Sequence, residues 1–146
     1  MTFGFFSTVD PLIQTQLSLI PRQIECSTVA GRIIAENGIV KIQDLARHSN
    51  IGIQKLQRAF ETEIGLSPKV FARIIRFNYA RHLIEANPNI DLAQLTYQGG
   101  YTDQAHFSHN FRELFDRTPA DFKRQLKKFR ESAEAKKMDV VFLQDN

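Results

Sequence analysis

Two short runs of this chain carry side chains suited to reading the edges of nucleic-acid bases. In the first, Ile53, Leu56 and Phe60 recur at helical spacing and are expected to face a core, which leaves Gln54, Gln57 and Arg58 on the outward arc. Glutamine pairs with adenine and arginine with guanine through two hydrogen bonds each. Arg58 is the first choice for such a contact. In the second run, Phe107, Phe111 and Leu114 form the apolar stripe, and Gln104, Ser108, His109 and Arg112 point away from it. Arg112 is aimed at phosphate. Histidine gains charge as pH falls toward 6, so binding through His109 is expected to tighten in that direction.

Other chemistries find little support. His48, His82, His106 and His109 invite a metal reading, and His106 and His109 stand three apart, but a structural zinc site normally takes four ligands and the single cysteine, Cys26, is far away. No metal and no cofactor are expected. Carboxylates are scattered, and there is no G-x-S-x-G, no phosphate-binding glycine loop and no Ser/His/Asp arrangement, so an enzyme is not expected. Cys26 falls on an apolar stripe, which makes it a small buried side chain, and alone it forms no internal disulfide. A reducing cytoplasm is the expected compartment. The opening MTFGFFSTVD has no basic leader, and no run approaches the roughly 20 apolar residues of a membrane span. Membrane partners are therefore not expected.

The binding runs need rigid helices to hold them. Ile42, Leu45 and Ala46 mark a short helix before the first run, with a turn from His48 to Gly52. Asp91 to Thr96 reads as a short helix capped by Asp91, broken at Gly99-Gly100, with Thr102 or Asp103 capping the next. Short helix, turn and longer amphipathic helix make a helix-turn-helix, here present twice. The copies align directly: Phe60, Pro68 and Phe71 stand 51 positions before Phe111, Pro119 and Phe122, whereas Leu45-Ala46 stands 50 before Leu95-Thr96. The second turn is thus one residue longer. Between the copies, Ser67-Pro68 opens and Pro88 follows a continuous helix over 68–87, roughly 30 Å long and close to the rise of one DNA turn. Arg73, Arg76 and Arg81 on it are expected to serve the surface or scaffold as ion pairs. Before all this, Cys26, Val29, Ala30, Ile33 and Ile34 form a scaffold helix over 24–37, stopped by Gly38.

At 146 residues, with 42% hydrophobic and 24% charged residues, the chain suits one ordinary domain with extra terminal segments. Net charge is only +3, but residues 41–130 hold 15 Lys/Arg against 9 Asp/Glu, so basic charge collects where the helices are. That distribution favours a nucleic-acid partner.

The stretch GGYTDQAHFSHNFRELFDRTPADFKR resembles the second half of an AraC/XylS-type DNA-binding domain, carried by Gly100-Tyr101, Asp103-Gln104, His106-Phe107-Ser108, Phe111-Arg112, Thr118-Pro119 and Phe122-Lys123-Arg124. The resemblance covers about Ile24 to Gln125. It implies an all-α fold of about seven helices, with two helix-turn-helix subdomains joined by the linking helix. It also implies sequence-specific binding to double-stranded DNA by a transcriptional regulator, with two recognition helices in successive major grooves; because one chain carries both units and a linking helix of about the right length, a monomer is expected to suffice. The DNA-facing set is then Gln54, Lys55, Gln57, Arg58, Gln104, Ala105, Ser108, His109 and Arg112. Departures from the family pattern are Gly52 for a serine cap, Thr96 for alanine, His109 for arginine and Asp116 for a terminating glycine. The competing class is a protein-interaction module whose outward helix faces hold a sensor subunit or RNA polymerase.

The domain is expected over 23–128, between an arm or linker at 1–22 and a tail at 129–146. Leu12 to Ile20 reads as a helix capped by Asp10, and the arm as the remnant of a connection to a sensor domain. The last helix is expected to pass Lys127, Lys128 and Arg130 and to lose its apolar pattern by Ser132 to Lys137. Met138 to Leu143, apolar and β-prone, is expected to dock on the core or stay mobile.

Overall fold

A computed structural model describes the backbone of residues 24–144 and the side chains of 26–134. The expected arm and the helix at Leu12 to Ile20 lie outside the described residues. Among those described there are seven α-helices and no strand: α1 (Ile24–Ala35), α2 (Ile42–His48), α3 (Ile53–Glu63), α4 (Pro68–Ala86), α5 (Leu92–Gln98), α6 (Gln104–Phe115) and α7 (Pro119–Gln144). Two compact units meet along the chain between His82 and Leu83, within α4. The all-helical architecture agrees with the sequence reading.

In the front unit α2 and α1 pack on α3, and the core gathers Cys26, Val29, Ala30, Ile33, Leu45, Ile51, Leu56, Phe60, Phe71 and Ile75. The stripe of α1 is buried as its spacing requires. The helix stops at Ala35, two residues short of the expected end, because Asn37 and Gly38 both take positive φ, 54° and 72°, and fold their amides back onto Ile34 and Ile33. Gly38 then presents its carbonyl to α4. The Arg76 guanidinium forks onto that oxygen, donating from Nε at 3.1 Å and Nη2 at 2.7 Å, so this arginine ties α4 to the turn that ends α1 through a backbone carbonyl.

The rear unit repeats the plan: α5 and α7 pack on α6. Its core is an aromatic chain in which the Phe111 ring lies 5.8 Å from Phe107, 6.0 Å from Phe115 and 5.9 Å from Phe122. Phe60 and Phe71, the front counterparts of Phe111 and Phe122, have their centroids at the same 5.9 Å. Internal homology in sequence thus becomes an equivalent ring contact. Edge and tilted packing of this kind adds to the burial of apolar area.

The helix starts are held unequally. Ser67 and Thr118 occupy matching positions and accept from the amides of Val70 and Asp121 at 3.3 and 3.1 Å, with the buried Pro68 and Pro119 following as first helical residues. Thr118 also donates its hydroxyl to Asp121 Oδ2 at 2.6 Å. That bond, aided by the nearby Arg124 and Arg112 charges, holds the Asp121 carboxyl below its usual range against a smaller opposing effect of burial. The folded value lies below the unfolded one, so this contribution is present above the ordinary carboxylate range and fades as pH falls through the folded value. Asp91, expected to cap α5, is extended but makes no side-chain cap; only its carbonyl joins the helix, accepting from Leu95.

α7 continues as one helix to Gln144, past the stretch at Ser132 to Lys137 where its apolar pattern fails and through Met138 to Leu143. The β-prone reading of that segment is corrected. The run Glu131 to Lys137 is rich in alanine, glutamate and lysine, good helix formers that propagate an existing helix without an apolar face.

Candidate nucleic-acid interface

The turns after α2 and α5 use the same backbone bonds. The amides of Ser49, Asn50 and Ile51 bond to the carbonyls of Leu45, Arg47 and Ala46, and 50 positions later Gly99, Gly100 and Tyr101 bond to Leu95, Tyr97 and Thr96. Asn50 and Gly100 share positive φ, 53° and 69°. In the following helices the offset is 51, since Leu56 bonds to the Gly52 carbonyl as Phe107 does to that of Asp103. The extra residue therefore falls between Tyr101 and Asp103, at Thr102. Asp103 is extended, as Gly52 is, and accepts from the His106 amide at 2.7 Å, a side-chain cap that Gly52 cannot supply to α3. Of Thr102 and Asp103, aspartate is the cap. Thr96, where the family pattern has alanine, is buried and satisfies its hydroxyl on the Leu92 carbonyl at 2.7 Å. Asp116 ends α6 at φ 54°, in the left-handed geometry that its side chain tolerates.

Burial sets the orientation of the second helix of each hairpin. On α3, Leu56 (1% exposed) and Phe60 (0%) face the core, and Gln54, Lys55, Gln57 and Arg58 are all exposed. Ile53 does not join them inside; it is 37% exposed, because Ile51 two residues earlier enters the core and leaves Ile53 at the rim of the first turn. On α6, Phe107, Asn110 and Phe111 are buried; Gln104, Ala105, His109 and Arg112 are exposed, and Ser108 is half-buried. The sequence-read site residues thus divide between two helix faces, four on α3 and five on α6.

Several features of these faces escaped the reading of spacing. Asn110 is a buried polar residue on the inner side of α6, its amide donating to the His106 carbonyl at 3.2 Å. His109 is not isolated, since its Nε2 lies 3.5 Å from Glu113 Oε1, one turn on and largely exposed. An i, i+4 search for carboxylates beside each candidate would have found Glu113. Glu61, exposed and three residues past Arg58, was also overlooked. The 51-residue offset finds it at once: it occupies the place of Arg112.

Among the described residues no group of three or more His, Cys, Asp or Glu side chains could hold a metal ion, and no helix is long and apolar enough to cross a membrane. What remains is a pair of hairpins, each offering one polar helix face in front of a packed core. Short helix, tight turn and exposed second helix define the helix-turn-helix class.

The sequence model of a family described as a helix-turn-helix domain matches residues 45–125. Similar proteins include the Msm operon regulatory protein of Streptococcus mutans, 25% identical over 87 residues that make up 60% of this chain and 31% of that protein. The HTH-type transcriptional regulator GlxA of Rhizobium meliloti is 31% identical over 81 residues, 56% of this chain and 25% of its own. The HTH-type transcriptional activator RhaS of Klebsiella pneumoniae is 27% identical over 81 residues, 56% and 29%. A crystal structure of a probable AraC family transcriptional regulator from Rhodopseudomonas palustris shares the fold, with a TM-score of 0.61 at 21% identity over 70% of this chain and 96% of that one. The chain belongs to this helix-turn-helix domain family, in agreement with the AraC/XylS-type resemblance of its sequence. It spans only 25% to 31% of the length of these curated relatives.

Proposed function

We propose that this chain is the DNA-binding part of a transcriptional regulator, that it acts in the cytoplasm, and that α3 and α6 enter successive major grooves of double-stranded DNA. The observation that carries the reading is the exposure of polar residues on both helices above buried aromatic anchors. On α3 the base-reading side chains are Gln54, Gln57 and Arg58, with Lys55 at the edge of the arc. On α6 they are Gln104, Ala105, Ser108 and His109, with Arg112 toward phosphate; Ala105 offers a methyl suited to thymine. One chain supplies both units, so a monomer occupies one asymmetric site. The binding module extends over about 23–128, with the flanking segments outside it.

Titration with a selected DNA site at several salt concentrations tests the proposal. Log affinity should fall linearly with log salt, as release of counterions from phosphate requires, at one protein per DNA. Within the same assay, Arg58→Ala should cost about 1–3 kcal/mol and relax the preference at one base position. An equal loss on every DNA sequence would make Arg58 a phosphate contact, and salt-independent binding would favour the protein-interaction class.

A further inference from the structure

Gln54, Arg58 and Glu61 stand at i, i+4 and i+7 of α3, the spacing that stacks side chains along one helix face, and all three are exposed opposite the buried Leu56 and Phe60. On α6 the same register reads Ala105, His109 and Arg112. At the third of these positions the two units carry opposite charge. Glu61 forms no hydrogen bond or ion pair among the described residues, although Arg58 lies one turn before it. A carboxylate that accepts only, on a face brought against DNA, is repelled by phosphates and by the acceptor-rich edges of guanine and thymine. It is compatible with an exocyclic amino donor, and cytosine N4 suits it better than adenine N6, which has the N7 acceptor beside it to repel the second carboxylate oxygen. Three residues of helix advance it about 4.5 Å beyond Arg58, a little more than one base-pair step of about 3.4 Å.

We propose that Glu61 is a specificity-determining residue, which accepts a hydrogen bond from a cytosine N4 amino group next to the base pair read by Arg58. This rests on the DNA-binding reading above. Discrimination then comes as much from rejection as from attraction, since a wrong base leaves the carboxylate desolvated and unpaired. Arg112 at the matching place of the rear unit imposes no such filter, so the front half-site is the more selective one.

The test selects bound sites from random DNA with wild type, Glu61→Gln, Glu61→Ala and Arg58→Ala proteins, and follows with affinities on single-base variants of the wild-type site. All three substitutions are of exposed residues, and thermal melts confirm that folding is kept. Wild type should prefer cytosine about tenfold at one position of the front half-site. Glu61→Gln should move that position toward adenine, because an amide pairs with adenine, and Glu61→Ala should lose the preference while binding mixed DNA more tightly. If both Glu61 variants keep every base preference and merely bind all DNA more tightly, Glu61 only repels the backbone and the inference is overturned. Arg58→Ala separates the two levels. A changed preference in that variant alone leaves the DNA-binding reading intact and removes Glu61 from it, whereas unchanged selection by all three removes both.

Discussion

Gly38→Ala should unfold the front unit under conditions in which wild type is fully folded. A methyl group there would lie 2.2 Å from the Ala72 carbonyl oxygen and 2.6 Å from the Arg76 amide nitrogen, both backbone atoms of α4 that cannot turn aside. The residue also has φ of 72°, which alanine adopts only with strain. Strain and overlap together should cost on the order of 3 kcal/mol or more. Relief by separating α1 from α4 would break the Arg76 fork on the Gly38 carbonyl, so neither response is cheap. Urea denaturation checks this, and Gly65→Ala is the control: φ is 80° there, but nothing lies within 4 Å of the added carbon. The control should show the strain without the collision. Equal losses at the two positions would mean that close approach contributes nothing at Gly38.

Phe111→Ala should destabilise the rear unit by about 3–5 kcal/mol, the range for emptying a large buried aromatic site. Its ring is fully buried and touches three others, from α6 itself and from α7, so the void cannot be filled by a single neighbour. Phe60→Ala should cost a similar amount in the front unit, where the ring is 0% exposed. DNA binding should disappear with folding and return wherever folding is rescued by low temperature or osmolyte. A folded Phe111→Ala protein that fails to bind would instead place the ring in the interface. Circular dichroism melts alongside DNA titration distinguish the two.

Most of the architecture was legible because it is written twice. Phe60 and Phe111 share a place in the repeat, and their partners Phe71 and Phe122 confirm it by ring contact. Local chemistry was legible wherever a residue acts on its own neighbourhood, as Ser67 and Thr118 do at their helix starts. What could not be read depends on which of two plausible neighbours reaches the core. Ile51 displaces Ile53, a choice made by the packing of the preceding turn and not by periodicity. Arg76 was assigned a scaffold role, but its acceptor is a backbone carbonyl 38 residues earlier, and carbonyls have no signature in a sequence. The persistence of α7 was missed for the opposite reason. A helix already nucleated needs no apolar stripe to continue, so Met138 to Leu143, read as β-prone from its composition, stays helical.

The extra residue at Thr102 makes the two recognition helices interchangeable only from certain cutting points. Downstream of it the units keep one register, so α6 could be grafted in place of α3 from Asp103 onward, with Phe107 and Phe111 entering the sockets of Leu56 and Phe60. A transplant begun earlier, at Leu95, would carry Thr102 into a turn built without it. If the host absorbed that residue by advancing the helix one position, every side chain would turn by about 100°. The arc holding His109 and Arg112 would then turn away from the exposed side of the helix and the aromatic anchors would be carried out of the core. Chimeras with new operator preferences are therefore a matter of where the seam is placed, and it belongs between Thr102 and Asp103.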